Sequence, residues 1–263
     1  MRTPTNGAIE MAGCSLSDLL APLSSDGAVV IPGVFDPEQV AWARRVVLEH
    51  GPLMANTRAA PSSRHMAGFH RFPEFEPLHL MLTQSATVSS VMKHLCGDRV
   101  RTIGLSDITV NRSQQWHKDL LRGRFRVYLG EGPYCAAWHG TVFKLIVYLQ
   151  DSTSLKIVPG SHREDIDLAS DDSAIPIDES TAVALPAKAG DAVIIDICTT
   201  HRGSPETAFT TREVESHPKI LVSTVFGRFG APLTNRMEVG NAARLESWTS
   251  QHLEKASPRL TAL

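Results

Sequence analysis

The sequence predicts a mainly β protein with helices added: a closed or double-sheet β core with helices packed outside it. Three observations carry that expectation. Short β-rich runs recur from position 100 onward, turn signals punctuate them, and helical spacing is confined to the first hundred residues and a tail.

Taken in order, the polar residues 1–20 are expected to fray as a flexible N-terminus. Asp26-Gly27 marks a turn, and Ala28-Val29-Val30-Ile31 reads as a short buried strand. Asp36-Pro37-Glu38-Gln39 is a helix start: Asp36 as cap, Pro37 at the first helical position, Gln39 three residues after the cap. That helix carries Val40, Ala43 and Val47 on one stripe and stops at Gly51. Residues 52–75 lack a clean period and predict a long loop bearing Arg64, His65, His70 and Arg71; together with 204–218 it is expected to lid a pocket. Residues 77–96 read as helical up to Gly97. The β-rich runs follow at 101–104, 108–110, 143–149, 155–158, 192–197 and 220–226. Turns fall at Pro159-Gly160-Ser161, Gly190-Asp191 and Gly203-Ser204-Pro205, and residues 241–256 return to helical spacing. These signals predict one domain over 1–263 with its core at 100–230.

Composition excludes several classes. Apolar content of 42% and charged content of 21% are ordinary for a globular chain, and a net charge of −2 gives no reason to expect nucleic acid. Cys14, Cys96, Cys135 and Cys198 lie far apart without a Cys-x-x-Cys pair, which argues against a disulfide scaffold or a structural zinc site. No apolar run has signal-peptide length or the ~20 residues needed to cross a bilayer. A cytoplasmic protein without membrane or nucleic-acid partners is expected.

Gln115-Trp116-His117-Lys118-Asp119 is the central chemical feature. On a strand, residues two apart share a face, so His117 and Asp119 can aim an imidazole nitrogen and a carboxylate oxygen at one point. A third ligand from a neighbouring strand would complete a two-His-one-carboxylate triad, which leaves open positions on iron(II). Spacing alone is weak: 11 histidines and 28 acidic residues predict about one His-x-acid pair by chance, and this chain has three. His252-Leu253-Glu254 lies in the helical tail, where such residues do not share a face, and His162-Arg163-Glu164 follows a tight turn. His201 follows the apolar run 192–197; by itself it reads equally as a strand-end histidine bonded to a backbone carbonyl.

The order of segments is more specific than any one of them. Gln-x-His-x-Asp, a strand ending Tyr148-Leu149-Gln150-Asp151, then Val158-Pro159-Gly160-Ser161-His162-Arg163, then Gly190-Asp191 and His201-Arg202-Gly203 resemble the phytanoyl-CoA dioxygenase family of iron(II)/2-oxoglutarate oxygenases. The opening stretch from Asp26 to Val34, followed by a helix, resembles that family too, so the likeness runs from about residue 20 to 230. The resemblance implies a double-stranded β-helix (a cupin-like jelly roll) buttressed by helices. It implies His117, Asp119 and His201 as iron ligands, with 2-oxoglutarate and dioxygen as co-substrates. Asp119 stands where halogenating relatives lack a carboxylate, so the resemblance does not extend to halogenation.

The distal carboxylate of 2-oxoglutarate needs a cation. Arg212 lies eleven residues after His201, a spacing common in the family, whereas Lys219 opens the last strand and suits its register. Lys219 is preferred because the segment 206–218 is longer than usual, although lysine departs from the family's arginine; Lys144 is a weaker third candidate. Each has a plainer reading: Arg212 as a solvated loop charge beside Glu213 and Glu215, Lys219 as a strand-edge charge, Lys144 as a snorkelling lysine. Arg122 and Arg124, with Arg126, follow the triplet and can clamp an anionic or hydroxyl-rich substrate, or form only a solvated basic turn. Trp116 and Trp138 read as core or wall aromatics, His70 and His139 as exposed loop residues. The expected activity is oxidation, by default hydroxylation, of a C–H bond in a small metabolite such as a natural-product intermediate. A cupin-type metal enzyme without 2-oxoglutarate and a non-catalytic binding module remain alternatives.

Overall fold

A computed structural model describes residues 15–57, 60–166, 175–209 and 216–252. Ten strands run antiparallel: β1 (Ala28–Ile31), β2 (Ala55–Asn56), β3 (Arg64–Ala67), β4 (Val100–Val110), β5 (Val142–Tyr148), β6 (Lys156–Ile157), β7 (Val183–Ala184), β8 (Ala192–Asp196), β9 (His201–Arg202) and β10 (Ile220–Arg228). They form a seven-stranded sheet in the order β1-β8-β5-β10-β4-β3-β2 and a three-stranded sheet β7-β6-β9. Ile146, Tyr148, Val193 and Ile195 of the large sheet pack against Ile157 of the small one and the adjoining Leu155. Facing antiparallel sheets around a shared interior make the jelly roll that the resemblance implies.

The helices are α1 (Leu16–Ser25), α2 (Pro37–Glu49), α3 (Glu76–Gln84), α4 (Ala86–Cys96), α5 (Cys135–Trp138) and α6 (Pro232–His252). The large sheet is apolar on both faces: Leu145, Val147, Ile194 and Val222 point away from the small sheet into the main core with Leu78, Leu82, Val88 and Val91 of α3 and α4. A strand buried on both sides reads as an unbroken apolar run, as β5 and β8 do. The capping box at α2 forms as expected, Gln39 N–H donating to Asp36 at 2.8 Å and Asp36 N–H to Gln39 at 3.0 Å.

Several boundaries differ from expectation for identifiable reasons. Residues 16–20 are helical, not frayed, because the Ser15 hydroxyl caps α1. The helix expected over 77–96 is two helices, broken where Ser85 turns extended to cap α4. The stretch 52–75 is no simple loop: β2 and β3 extend the sheet, and the runs 101–104 and 108–110 join into the single strand β4. The large sheet thus draws three strands from before residue 100. The tail helix begins at Pro232 rather than 241, and its expected end at 256 lies outside the described residues, as do residues 1–14. Gly190 has φ +88° and a Cβ there would sit 2.2 Å from the Phe35 carbonyl oxygen, so the Gly190-Asp191 turn is a backbone necessity. Asp191 serves the same turn by accepting from Gly33 N–H and Lys188 N–H.

Candidate metal centre and active-site cavity

His117 and His201 face each other across an isolated antiparallel bridge, each N–H donating to the other's carbonyl at 2.9 Å. β9 is held in turn by β6, through the pair Ile157 and His201. The alternation after His117 then separates two roles. Lys118 points the opposite way, fully buried, and its ammonium donates to the carbonyls of Ser161, Glu164 and Cys198 at 2.5, 2.8 and 2.6 Å. Three donors meet three acceptors, which pins the segment. Asp119 returns to the side of His117.

The His117, Asp119 and His201 side chains bring one ligand atom each within 4.8 Å of one another, the one such group found among the described residues. His117 Nδ1 meets the Gln115 carbonyl at 2.7 Å and His201 Nδ1 the Thr199 carbonyl at 2.9 Å. Both rings thereby present Nε2 to Asp119, at 3.5 and 3.2 Å. Metal-binding histidines commonly have their second nitrogen bonded in this way. Burial, reinforced by His201, depresses the His117 pKa to about 4, so its ring is neutral and its lone pair available. Burial opposes ionisation of Asp119, but the Lys144 ammonium at 2.8 Å and His201 outweigh it and hold the carboxyl well below its usual range. Two imidazoles and a carboxylate suit a divalent first-row metal and leave positions open for other ligands.

The triad lies on the floor of a cavity of about 560 Å³, within the usual range for small-molecule sites. The large sheet supplies alternate residues Leu105, Asp107 and Thr109 of β4, with Lys144 of β5 and Leu221 and Ser223 of β10. Met237, Arg244 and Trp248 of α6 form the opposite wall, and His65 of β3 stands beside Asp107 at 3.5 Å. Arg244 donates to both Asp107 oxygens, at 3.1 and 3.5 Å. Burial pushes the His65 pKa down to about 4, whereas Asp107, despite burial, is held far below the carboxylate range by Arg244 and His65.

Next to this cavity, and sharing Thr109, Arg112, Gln114 and Leu221 with it, a chamber of about 10 Å³ encloses Lys219, Ser204 and Tyr148. The Lys219 ammonium donates to the hydroxyls of Ser204 (2.7 Å) and Ser154 and lies 5.1 Å from the Tyr148 ring centroid. Burial lowers its pKa to about 8. A cation ringed by hydroxyls fits a carboxylate, although the chamber has the volume of about one water.

Not every expected residue reaches the site. Arg122 lines the cavity, but Arg124 is exposed and donates to Ser247 on α6. Arg212 lies outside the described residues. Lys144, the third candidate anchor, is paired with Asp119 at 2.8 Å. His70 packs on His79 of α3 and His139 on His162, so neither is a free loop histidine. Trp116 bonds Glu179 at 2.9 Å, and Trp138 stacks with Tyr134 and Arg236. Of the loops expected to form a lid, 52–75 contributes Ala55, Asn56, Thr57 and His65 to the rim, and 204–218 contributes Ser204 to the chamber, with 210–215 outside the described residues. Sequence reading missed Asp107, Arg112 and Arg244. Asp107 and Thr109 carried a signal, polar residues on one face of a β run, and Arg112 lies five residues before His117.

The family model of phytanoyl-CoA dioxygenase matches residues 23–214. The chain belongs to that family. No curated protein matches it. Among solved structures it is similar to the non-heme α-ketoglutarate-dependent epimerase SnoN from nogalamycin biosynthesis, at 22% identity over 81% of this chain and 82% of that one, with TM-score 0.58. It is likewise similar to EvdO2 from Micromonospora carbonacea var. aurantiaca complexed with 2-oxoglutarate (18% identity, 81% and 91% covered, TM-score 0.57). HygX from Streptomyces hygroscopicus, solved with nickel, 2-oxoglutarate and hygromycin B, gives 16% identity, 81% and 87% covered, and TM-score 0.58. At these identities the likeness is one of fold. None of the described helices is long and apolar enough to cross a membrane.

Proposed function

We propose that this family member is an iron(II)- and 2-oxoglutarate-dependent oxygenase acting on a small molecule, with His117, Asp119 and His201 as metal ligands. One observation carries the reading: two imidazoles, each with Nδ1 tied to a backbone carbonyl, turn Nε2 toward a single ionised carboxylate on the floor of a substrate-sized cavity. When bound, iron(II) with 2-oxoglutarate and dioxygen supplies the oxidant for C–H chemistry, the co-substrate leaving as succinate and carbon dioxide.

The chain's own residues do the rest. Lys118 fixes the strand that carries two of the ligands, and Lys144 holds one Asp119 oxygen. Lys219, with Ser204 and Ser154, receives the distal carboxylate of 2-oxoglutarate. Leu105, Met237 and Trp248 exclude water from the substrate side. Hydroxylation of a natural-product-like metabolite is the default outcome, and the cytoplasm the expected compartment. Solved neighbours include an epimerase and a carbocyclase, so the product must be read directly.

Oxygen and 2-oxoglutarate consumption with iron(II), compared between wild type and His117→Ala, tests the reading. Succinate release that depends on iron and disappears in the variant is expected, and unchanged turnover would refute the metal assignment. With a substrate in hand, a gain of one oxygen atom by mass spectrometry identifies hydroxylation, an unchanged mass epimerisation, and a loss of two hydrogens ring formation or desaturation.

A further inference from the structure

The cavity carries more positive charge than its own acids or the proposed co-substrate can balance. Arg112, Arg122, Arg244 and Lys144 line it, with Lys118 behind the triad, against the carboxylates of Asp107 and Asp119. Lys144 is paired with Asp119 and Arg244 with Asp107. Lys118 is satisfied by three carbonyls. Arg112 and Arg122 remain, and among the described residues neither guanidinium has a hydrogen bond or an ion pair. They lie near enough to act on each other: Arg112 is depressed first by burial and further by Arg244 and Arg122, against the opposing pull of Asp107 and Asp119. Arg122 lines the same cavity as His117 and Asp119. Two partly buried, like-charged guanidiniums with no acid between them are costly unless an anion joins them.

The resident groups do not supply that anion. An iron(II) ion and a 2-oxoglutarate dianion cancel in charge, and Lys219 stands ready for the distal carboxylate in the adjoining chamber, whose wall Arg112 shares. Arginine forks match carboxylate and phosphate oxygens two at a time.

We infer that the substrate is an acidic small molecule whose carboxylate or phosphate is held between Arg112 and Arg122, above the metal triad. The inference rests on the oxygenase reading for its use of the cavity, but the anion site is testable apart from it. Arg122 fixes which end of the substrate enters first, and so which carbon faces the metal. An uncharged polyol, the other chemistry a basic turn can take, would leave both guanidiniums uncompensated.

The test is calorimetric titration of the protein loaded with nickel(II) and 2-oxoglutarate, which occupy the metal and co-substrate sites. Benzoate and phenyl phosphate serve as anionic probes and benzamide as the uncharged control. One equivalent of either anion is expected to bind, at least about tenfold tighter than benzamide. Whichever anion binds better identifies the oxyanion. Arg122→Met and Arg112→Met should each weaken the anion by about tenfold or more, with Arg122→Lys between the variant and wild type. Thermal melts check that the variants are folded.

Equal binding of benzamide and benzoate would overturn the proposal. So would anion binding that survives both arginine variants, or binding lost only in Lys219→Met, which would place the probe in the co-substrate site. If wild type fails to load nickel or 2-oxoglutarate, the oxygenase reading fails separately. The same titrations on the unloaded protein then decide the anion site.

Discussion

The described residues hold two clusters of two histidines and an aspartate, and only one turns its ligand atoms toward a common point. In that one, His117 and His201 stack at 4.3 Å between ring centroids, with both Nδ1 atoms tied to backbone and both Nε2 atoms facing Asp119. In the other, in a cleft of about 350 Å³ under α1 and α4, His139 and His162 meet edge to face at 5.6 Å near Asp196. There the carboxylate is already spent: it accepts from Gly140 N–H at 2.5 Å and Cys198 N–H at 2.9 Å. His139 has its Nδ1 on the Cys135 carbonyl, but His162 Nδ1 is buried without a hydrogen-bond partner among the described residues. Burial raises the Asp196 pKa to about 6, the reverse of Asp119. The contrast teaches that composition does not make a site. What makes one is a carboxylate left free by the backbone and lone pairs aimed by second-nitrogen bonds.

Removing one member of each cluster gives the largest expected difference. His117→Ala should weaken metal binding more than about a hundredfold, beyond the loss typical of outer partners, while His162→Ala leaves it unchanged in a nickel titration. Equal losses would erase the distinction. Lys118 links the clusters, since its acceptors flank His162 and Asp196, and Lys118→Met leaves three carbonyls without their donor. A loss of about 3 kcal/mol in denaturant unfolding is expected. Metal affinity should fall along with stability, because the triad's strand loses its anchor.

In the chamber beside the cavity the sign of a pH effect is informative. Burial depresses Lys219 to about 8, so its charge is present below that value and lost above it. Affinity for 2-oxoglutarate should therefore fall as pH rises past about 8, by up to about tenfold per unit, and Lys219→Arg should flatten the fall. A flat profile in wild type would remove Lys219 as the anchor. The smallest effect is spectroscopic: carbon-13 carboxyl shifts should move near pH 6 for Asp196, while Asp119 stays ionised through that range. Because the folded Asp196 pKa lies above its unfolded value, its share of stability is fully present at low pH and is lost as pH rises through about 6.

Much of this arrangement was legible before any coordinates. The capping box at Asp36, the buried strands β5 and β8, and the convergence of His117 with Asp119 all follow from local chemistry and period. What escaped depends on contacts distant in sequence. Nothing around Lys144 announces that Asp119 will come to it, because its charge sits within seven buried residues and its partner lies on another segment. Arg244 reads as an ordinary helix cation until α6 crosses β4 and brings it to Asp107. Arg124 misled because neighbours on a short 3-10 turn, Gly123–Leu129, do not share a direction, so Arg122 faces the cavity and Arg124 the helix.

One wall of the cavity has a consequence for how the protein can change. Met237, Arg244 and Trp248 stand seven and four residues apart, a single stripe of α6, whereas the metal ligands and Lys219 all belong to the barrel. Gly240 on the same helix admits Leu121 and Tyr128 so closely that a Cβ would meet Leu121 at 2.2 Å, which locks the helix's height against the turn after the triad. Exchanges at Met237 and Trp248 should therefore reshape the cavity wall while the triad beneath stays as it is, whereas Arg244 is bound to the buried Asp107 and is not free to vary.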